Sequence, residues 1–116
     1  TAGRLRWKYQ FEGEMAGKTG TTQNQSDGWY IGLTPKLTAA VWVGAEDRSI
    51  RFDDLSMGAG GVMALPIWAN FFEQVYADST LGITQEEYFE KPPDFYVDLD
   101  CEDVTDKPTS DEFSEF

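Results

Sequence analysis

The strongest constraint on the fold is that two short segments are apolar on both faces. Residues 28–33 read GWYIGL, and residues 37–44 read LTAAVWVG. Strands of this composition are normally covered on both sides of their sheet. The chain offers one long amphipathic helix as a cover, so we expect a second chain or missing helices to cover the other face. Left open, that face would be a sizeable apolar patch.

The hydrophobic pattern predicts a three-stranded antiparallel meander followed by a helix. Strands are expected near residues 14–22, 28–34 and 37–45. Turn-forming residues separate these segments, which favours direct hairpin connections. A helix is expected at about 63–78, because Leu65, Trp68 and Phe72 fall on one helical face. The predicted fold class is therefore an α+β fragment.

Two further local patterns carry predictions near the ends of the chain. Apolar and polar residues alternate from Leu5 to Phe11, which is typical of an extended segment with one apolar side. Residues 84–87 read TQEE, which resembles a capping box and predicts one short helical turn.

The negative charge of the chain is concentrated near its C-terminus. The formal net charge is −12, of which residues 85–116 carry −10 and residues 1–84 carry −2. This balance argues against nucleic acid and against an anionic membrane surface as partners. We expect the acidic segment to be mobile or loosely laid on the surface. A calcium site is the alternative, but the acids lack the loop spacing with a glycine that such sites show.

Residue types that the chain lacks exclude several kinds of chemistry. There is no His, which excludes His-based triads and most zinc sites within the chain. The single cysteine, Cys101, excludes an internal disulfide framework. No apolar run is long enough to span a membrane, and no signal peptide is visible. The sequence therefore predicts no metal and no cofactor.

One short segment has the composition of an anion-binding site, namely Lys18, Thr19, Gly20, Thr21 and Thr22. In a regular strand Thr19 and Thr21 place their hydroxyls on one face, and Gly20 lets a ligand approach the backbone. Lys18 faces the other way, but its long side chain can curl around the strand edge. These residues together suit a ligand whose carboxylate they bind while its extended chain pairs with the edge of the strand. The motif alone favours an ordinary threonine-rich strand, because such short motifs also occur by chance.

The sequence around this motif resembles a known family. K-T-G is a signature of penicillin-binding proteins and class A β-lactamases. The longer run AGKTGTTQNQSDGWYIGLTPKLTAAVWVG closely resembles the end of the transpeptidase domain of class A penicillin-binding proteins of the 1A type, the bifunctional enzymes of peptidoglycan synthesis. The resemblance covers residues 1–79, including the helix GGVMALPIWANFFEQVY. Residues 80–116 are interpreted as an acidic, largely irregular C-terminal extension.

The resemblance implies a substrate-binding role for each residue of the motif. Family enzymes transfer an acyl group from a peptide stem ending in D-Ala-D-Ala, through a serine ester, to a neighbouring stem. Lys18 would help to bind the ligand carboxylate, and the hydroxyls of Thr19 and Thr21 would hydrogen-bond it. The Thr21 N–H would supply half of the oxyanion hole. Gly20 would let the acylated ligand lie against the strand, and Thr22 would form part of the pocket wall.

The chain departs from the family where the family keeps its nucleophile. The family requires an S-x-x-K motif, which holds the serine and its lysine base, and an S-x-N motif. No Ser here is followed by Lys three positions later, and no S-x-N occurs. Both motifs precede the K-T-G strand in the family, so we expect them upstream of Thr1. The chain is interpreted as a C-terminal fragment with no catalytic residue of its own, inactive alone.

The resemblance also implies an architecture and a location. In the family the sheet has five strands with helices on both faces, and the K-T-G strand borders the cleft, as in the serine β-lactamase fold. Half of such a domain, with one open sheet face, is expected to self-associate. The parent enzyme would lie at the outer, periplasmic face of the cytoplasmic membrane, and the fragment itself would be soluble. Stem peptides and β-lactams would be the partners of the parent.

Two alternative functions stay open at this point. The first is a fragment of a serine β-lactamase or D,D-carboxypeptidase, since hydrolases of this fold also keep a K-T-G strand. The second is a non-catalytic module that pairs extended peptides with the edge formed by residues 18–22. Both alternatives share the edge strand, and they differ from the transpeptidase in the chemistry that follows binding.

Overall fold

Three short strands form an antiparallel meander, as the hydrophobic pattern predicts. The computed structural model describes residues 2–94. The strands are β1 (Ala16–Thr21), β2 (Asp27–Leu33) and β3 (Thr38–Gly44). They lie in the order β1-β2-β3, with Thr19 opposite Tyr30 and Tyr30 opposite Val41. The three predicted strands are thus confirmed, and their ends differ from the predicted ones by one or two residues.

Short polar turns join the strands and set their register. A 3₁₀ turn at Gln23–Gln25 links β1 to β2, and Asn24 adopts a left-handed conformation there with φ 59°. Between β2 and β3, the Thr34 N–H donates to the Leu37 carbonyl at 2.8 Å. The Thr34 hydroxyl accepts from the Leu37 N–H at 3.2 Å, so this buried side chain closes the second turn.

The predicted helix is confirmed and is preceded by two short helical turns. The helices are α1 (Ala2–Tyr9), α2 (Leu55–Gly58), α3 (Gly60–Met63) and α4 (Leu65–Ala77). Pro66 lies in the first turn of α4, where a missing N–H costs nothing. Asp54 caps α2 by accepting a hydrogen bond from the Ser56 N–H.

The core lies where α4 packs on one face of the sheet. Trp68 is fully buried, stacks on Phe72 at 3.9 Å between ring centroids, and meets Tyr30 edge-on at 5.3 Å. Its indole N–H donates to the Ala39 carbonyl at 3.2 Å, which satisfies the buried polar group. Gly32 permits this approach, because a Cβ there would lie 2.5 Å from Trp68 Cε2.

Residues 5–9 are helical rather than extended, so the prediction of an extended segment from Leu5 to Phe11 was wrong. Leu5 and Tyr9 are four residues apart, a spacing that suits one helical face as well as one strand face. The helix α1 leaves Trp7 72 % exposed and buries Leu5. Gln10, with φ 55°, then turns the chain so that Phe11 joins the core and its N–H bonds to the Leu5 carbonyl.

The helical turn predicted at residues 84–87 is also absent. Thr84 accepts a hydrogen bond from the Glu86 N–H, which closes a local turn instead of a helix. Gln85 is engaged elsewhere, because its side-chain oxygen accepts from the Glu12 N–H at 2.7 Å. The contact between Gln85 and the segment before β1 therefore takes the place of the predicted helical turn.

The first part of the acidic segment lies on the surface of the fold. Glu87 pairs with Lys36 at 2.7 Å, and the Phe89 N–H donates to the Glu14 carboxylate at 2.7 Å. These contacts hold the described part of the segment beside the start of the sheet. The predictions for the acidic run around residues 98–103, and for Cys101, lie outside the described residues.

One face of the sheet stays open to solvent in the described part of the chain. Trp29 and Ile31 are each 43 % exposed and Trp42 is 47 % exposed, on the side opposite α4. These three side chains form the open face. The apolar patch expected from the two-faced strands is therefore present among residues 2–94.

Candidate functional site

The edge strand β1 presents backbone groups that do not pair with another strand of the described sheet. The Thr22 N–H donates to the Asp27 carbonyl at 3.2 Å, so these two residues form a hydrogen-bonded pair. Because bonded and non-bonded pairs alternate in an antiparallel ladder, Thr21 and Thr19 lie in non-bonded pairs with Gly28 and Tyr30. Their N–H and C=O groups therefore point to the free side of the strand. An extended peptide can pair there.

The side chains of Thr19 and Thr21 lie on the helix side of the sheet, close to α3. Thr21 Oγ1 accepts a 3.0 Å hydrogen bond from the Gly60 N–H. That bond uses the oxygen as acceptor, so the hydroxyl proton of Thr21 stays available for an anion. Among the described residues the Thr19 hydroxyl has no hydrogen-bond partner. Each of these two threonines thus keeps a hydroxyl proton that no described residue accepts.

Lys18 lies on the other face of β1, opposite Ile31, and is exposed. Its ammonium donates to the Thr19 carbonyl at 3.0 Å. Because that carbonyl lies on the free side of the strand, the bond holds the positive charge at the edge and not over the open face. The structure therefore places Lys18 beside the edge that Thr19 and Thr21 share.

Gly20 is not required by packing, whereas the hydroxyl of Thr22 is held by hydrogen bonds. A Cβ at Gly20 would lie 3.4 Å from Trp29 Cβ, an ordinary contact, so packing within the described residues does not require glycine there. Thr22 Oγ1 lies 3.0 Å from Ser26 Oγ and accepts from the Asp27 N–H at 3.2 Å. These bonds turn Thr22 into the 3₁₀ turn, away from the two hydroxyls.

A cleft of about 260 Å³ lies beside β1. It is lined by Arg4, Thr19, Thr21, Ala59, Gly61, Val62 and Leu65. We call it the Arg4 cleft. Its lining contains one cation, two hydroxyls and no acidic side chain, so its electrostatics favour an anion.

Arg4 is the residue of this cleft that the sequence analysis missed. Its guanidinium donates to the Gly61 carbonyl, which joins α1 to α3. The alternating pattern of residues 5–11 predicts an extended segment, and no extended arrangement relates Arg4 to the K-T-G strand. Only the four-residue spacing of Leu5 and Tyr9 indicates the helix that brings Arg4 to the cleft, and one such pair is a weak signal.

The acidic groups with shifted pKa values lie away from the cleft. Hydrogen bonds from Ser49, Ser56 and Thr80 lower the pKa of Asp47, Asp54 and Asp78, respectively, and each of these acids is exposed. They cap local turns and supply no general base near β1. Within residues 2–94 there is no cluster of three or more metal-ligating side chains.

Comparison with known proteins gives the chain its relatives. It is 35 % identical over 83 residues to penicillin-binding protein 1A of Aquifex aeolicus (strain VF5), an alignment that covers 72 % of this chain and 10 % of the relative. It is 34 % identical over 76 residues to penicillin-binding protein 1A of Vibrio cholerae, and this alignment covers 56 % of the chain and 9 % of the relative. It is 37 % identical over 59 residues to penicillin-binding protein 1A of Neisseria flavescens, and this alignment covers 50 % of the chain and 7 % of the relative. The chain is a relative of penicillin-binding protein 1A.

The resemblance read from the residues around K-T-G is thereby confirmed. The chain spans about a tenth or less of the length of these penicillin-binding protein 1A relatives. No protein-family model matches the chain. No solved structure matches it either. Relationship to penicillin-binding protein 1A therefore rests on the sequence alignments, and the α+β arrangement of three antiparallel strands and helices agrees with it.

A membrane span is not found in the described part of this relative of penicillin-binding protein 1A. None of its helices within residues 2–94 has both the length and the apolar composition that crossing a bilayer requires.

Proposed function

We propose that the chain forms the K-T-G side of the active site of a peptidoglycan D,D-transpeptidase. The observation that supports this most is the free side of β1. There Thr19 and Thr21 line the cleft beside the strand, and the ammonium of Lys18 is held at the strand edge. The names of the relatives supply the substrate class, because penicillin mimics the end of a stem peptide.

The proposed binding mode pairs the end of a stem peptide with β1. The terminal carboxylate of the D-Ala-D-Ala unit accepts hydrogen bonds from the hydroxyls of Thr19 and Thr21, and Lys18 adds a positive charge. The Thr21 N–H, on the free side of the strand, donates to the oxyanion that develops during acyl transfer. One such donor lowers the barrier by about 3 kcal/mol. Thr22, whose hydroxyl is bonded within the turn at the end of the strand, forms part of the pocket wall.

The reaction itself needs a serine that we place in the longer protein. Its hydroxyl adds to the carbonyl of the penultimate D-Ala, a serine ester forms, and the terminal D-Ala leaves with the transferred proton. The amine of a neighbouring stem then attacks the ester, which forms the cross-link and returns the serine. A β-lactam follows only the first half, because its opened ring stays bound as the ester. This chain contributes binding and oxyanion stabilisation to both halves.

We further propose a division of the chain and a location for the parent. Residues 1–79 are the C-terminal portion of the transpeptidase domain, and residues 80–116 are an acidic extension. The parent enzyme lies at the cytoplasmic membrane with its catalytic part on the outer, periplasmic face. Alone, the 116 residues bind no penicillin covalently, because the nucleophile belongs to the rest of the domain.

Labelling with a fluorescent penicillin tests the proposal. The complete gene product that contains these residues is expected to take up a covalent label, and the isolated 116-residue chain is not. Thr19→Val in the complete product should slow labelling about 10-fold, because a hydroxyl bonded to a carboxylate is lost. Thr38→Val, an exposed threonine on β3, is the matched control and should label normally. A folded complete product that takes up no label overturns the proposal.

The same experiment separates the two alternatives. Rapid loss of the label by hydrolysis would indicate a β-lactamase or a D,D-carboxypeptidase. Reversible binding of extended peptides to the edge of β1, with no covalent label, would indicate a binding module instead. The transpeptidase predicts a label that persists and that competing stem peptides delay.

A further inference from the structure

The Arg4 cleft contains a second cation that the K-T-G motif does not include. Lys18 approaches the edge of β1 from the open face, whereas Arg4 approaches from α1 on the helix side. The two therefore lie on different sides of the strand that carries Thr19 and Thr21. A carboxylate that is bound by these two threonines would lie on the Arg4 side, since both residues line that cleft.

A short series of contacts ties Arg4 to both threonines. The Arg4 guanidinium donates to the Gly61 carbonyl, and a Cβ at Gly61 would lie 3.5 Å from Thr19 Cγ2. The neighbouring Gly60 N–H donates to Thr21 Oγ1 at 3.0 Å. The Gly60-Gly61 pair thus holds Arg4, Thr19 and Thr21 around one space. The methyl group of Thr19 faces Gly61, and the Thr19 hydroxyl has no hydrogen-bond partner among the described residues.

The Arg4 side chain is anchored by one hydrogen bond and keeps further N–H donors available. Among the described residues its hydrogen bond to Gly61 is its one interaction, so most of the five N–H donors of the guanidinium stay free. A guanidinium that is anchored by one donor presents the others in a planar fork that matches a carboxylate. The lack of an acid in the cleft lining leaves this charge without a competing partner there.

On these grounds we propose that Arg4 is a carboxylate-binding residue of the site. This inference rests on the proposed function and names the group that seats the ligand carboxylate on the helix side. The carboxylate lies between the hydroxyls of Thr19 and Thr21 and the free donors of Arg4, while Lys18 acts from the other side of the strand. No covalent step is assigned to Arg4.

The test compares two ligands and two arginines in the complete gene product. Arg4→Gln should slow acylation by a fluorescent penicillin about 10- to 100-fold, as expected for the loss of a charged hydrogen bond. Arg6→Gln, on the same helix and exposed, removes the same charge without touching the cleft and should label normally. With the methyl ester of the penicillin carboxylate, Arg4→Gln and the unsubstituted protein should react at the same slow rate.

Each result assigns a cause. If the unsubstituted protein takes up no label, the proposed function is overturned, and with it the role of Arg4. If it labels and Arg4→Gln matches Arg6→Gln, the proposal for Arg4 is overturned. Equal slowing with the acid and the ester also overturns it, because Arg4 would then only hold α1 against α3. Arg4→Lys, which keeps the charge and loses the planar fork, should give an intermediate rate with the acid.

Discussion

The Gly60 N–H and Thr21 Oγ1 form a 3.0 Å hydrogen bond between residues that are 39 positions apart. The bond connects the start of α3 to the edge strand of the sheet. Gly60 is buried, and a Cβ there would lie 2.4 Å from the Trp29 carbonyl oxygen and 2.6 Å from that of Gly20. The backbone of α3 can therefore reach β1 only because residue 60 is glycine. The same bond uses the Thr21 oxygen as acceptor and leaves the hydroxyl proton free to donate.

Thr21→Val should destabilise the fold, because it removes the acceptor of a buried N–H. An unpaired buried donor costs about 1–3 kcal/mol in the free energy of unfolding, which urea denaturation measures. Thr21→Ser keeps the hydroxyl and should lose much less. Thr38→Val, at an exposed site, controls for the change of threonine to valine in a strand. Equal losses for the valine and serine variants at position 21 would contradict the role of the bond.

Gly32→Ala should disrupt the contact between the sheet and α4. The added Cβ would lie 2.5 Å from Trp68 Cε2, and the indole cannot retreat because its N–H is bonded to the Ala39 carbonyl. Overpacking of this kind costs about 1–3 kcal/mol, measurable by urea denaturation. Gly3→Ala, in α1 with nothing within 4 Å of the new Cβ, should instead stabilise by up to about 1 kcal/mol. A loss at position 3 that matches the loss at position 32 would contradict this account.

Much of the sheet and of α4 follows from the sequence alone. The segments of β2 and β3 are short, apolar and bounded by turn residues, and α4 repeats its apolar residues at helical spacing over thirteen residues. These signals are local, so no tertiary contact has to be known. The orientation of Thr19 and Thr21 on one face of β1 follows from strand geometry in the same way.

What the sequence does not reveal depends on contacts between distant residues. The apolar residues between Leu5 and Phe11 fit a strand as well as a helix, and the helix prevails because Leu5 and Phe11 both reach the core on Trp68 and Phe72. Residues 84–87 lose their helical turn to a bond with Glu12. Arg4 enters the cleft only after α1 has formed and the Gly61 carbonyl has come within reach.

Alkaline pH should destabilise the fold through two tyrosines. Burial raises the pKa of Tyr30 above its ordinary value of 10.0. Burial and then the negative charge of Glu87 raise the pKa of Tyr76 above the same value. Because the folded state holds these protons more tightly than the unfolded state, their contribution is complete below pH 10 and declines as the pH rises through the folded pKa values.

Absorbance at 295 nm and urea denaturation between pH 8 and about 12 measure this effect. Tyr30→Phe should flatten part of the decline in the free energy of unfolding, since phenylalanine has no proton to lose. Glu87→Gln should bring the Tyr76 pKa closer to its ordinary value. A free energy of unfolding that stays constant across this range in the unsubstituted chain would contradict the prediction.

The open face predicts self-association when the 116 residues are prepared alone. Trp29, Ile31 and Trp42 lie side by side on β2 and β3 and stay 43–47 % exposed, so burying them removes apolar surface from water. Light scattering at micromolar concentration should give a mean mass above that of the monomer. Trp42→Ser should shift the mass toward the monomer, because it removes one of the two indole rings from the patch. Trp7→Ser, on α1 and 72 % exposed, removes an equal ring elsewhere and should leave association unchanged. A monomeric unsubstituted chain would show that this face needs no cover to stay in solution.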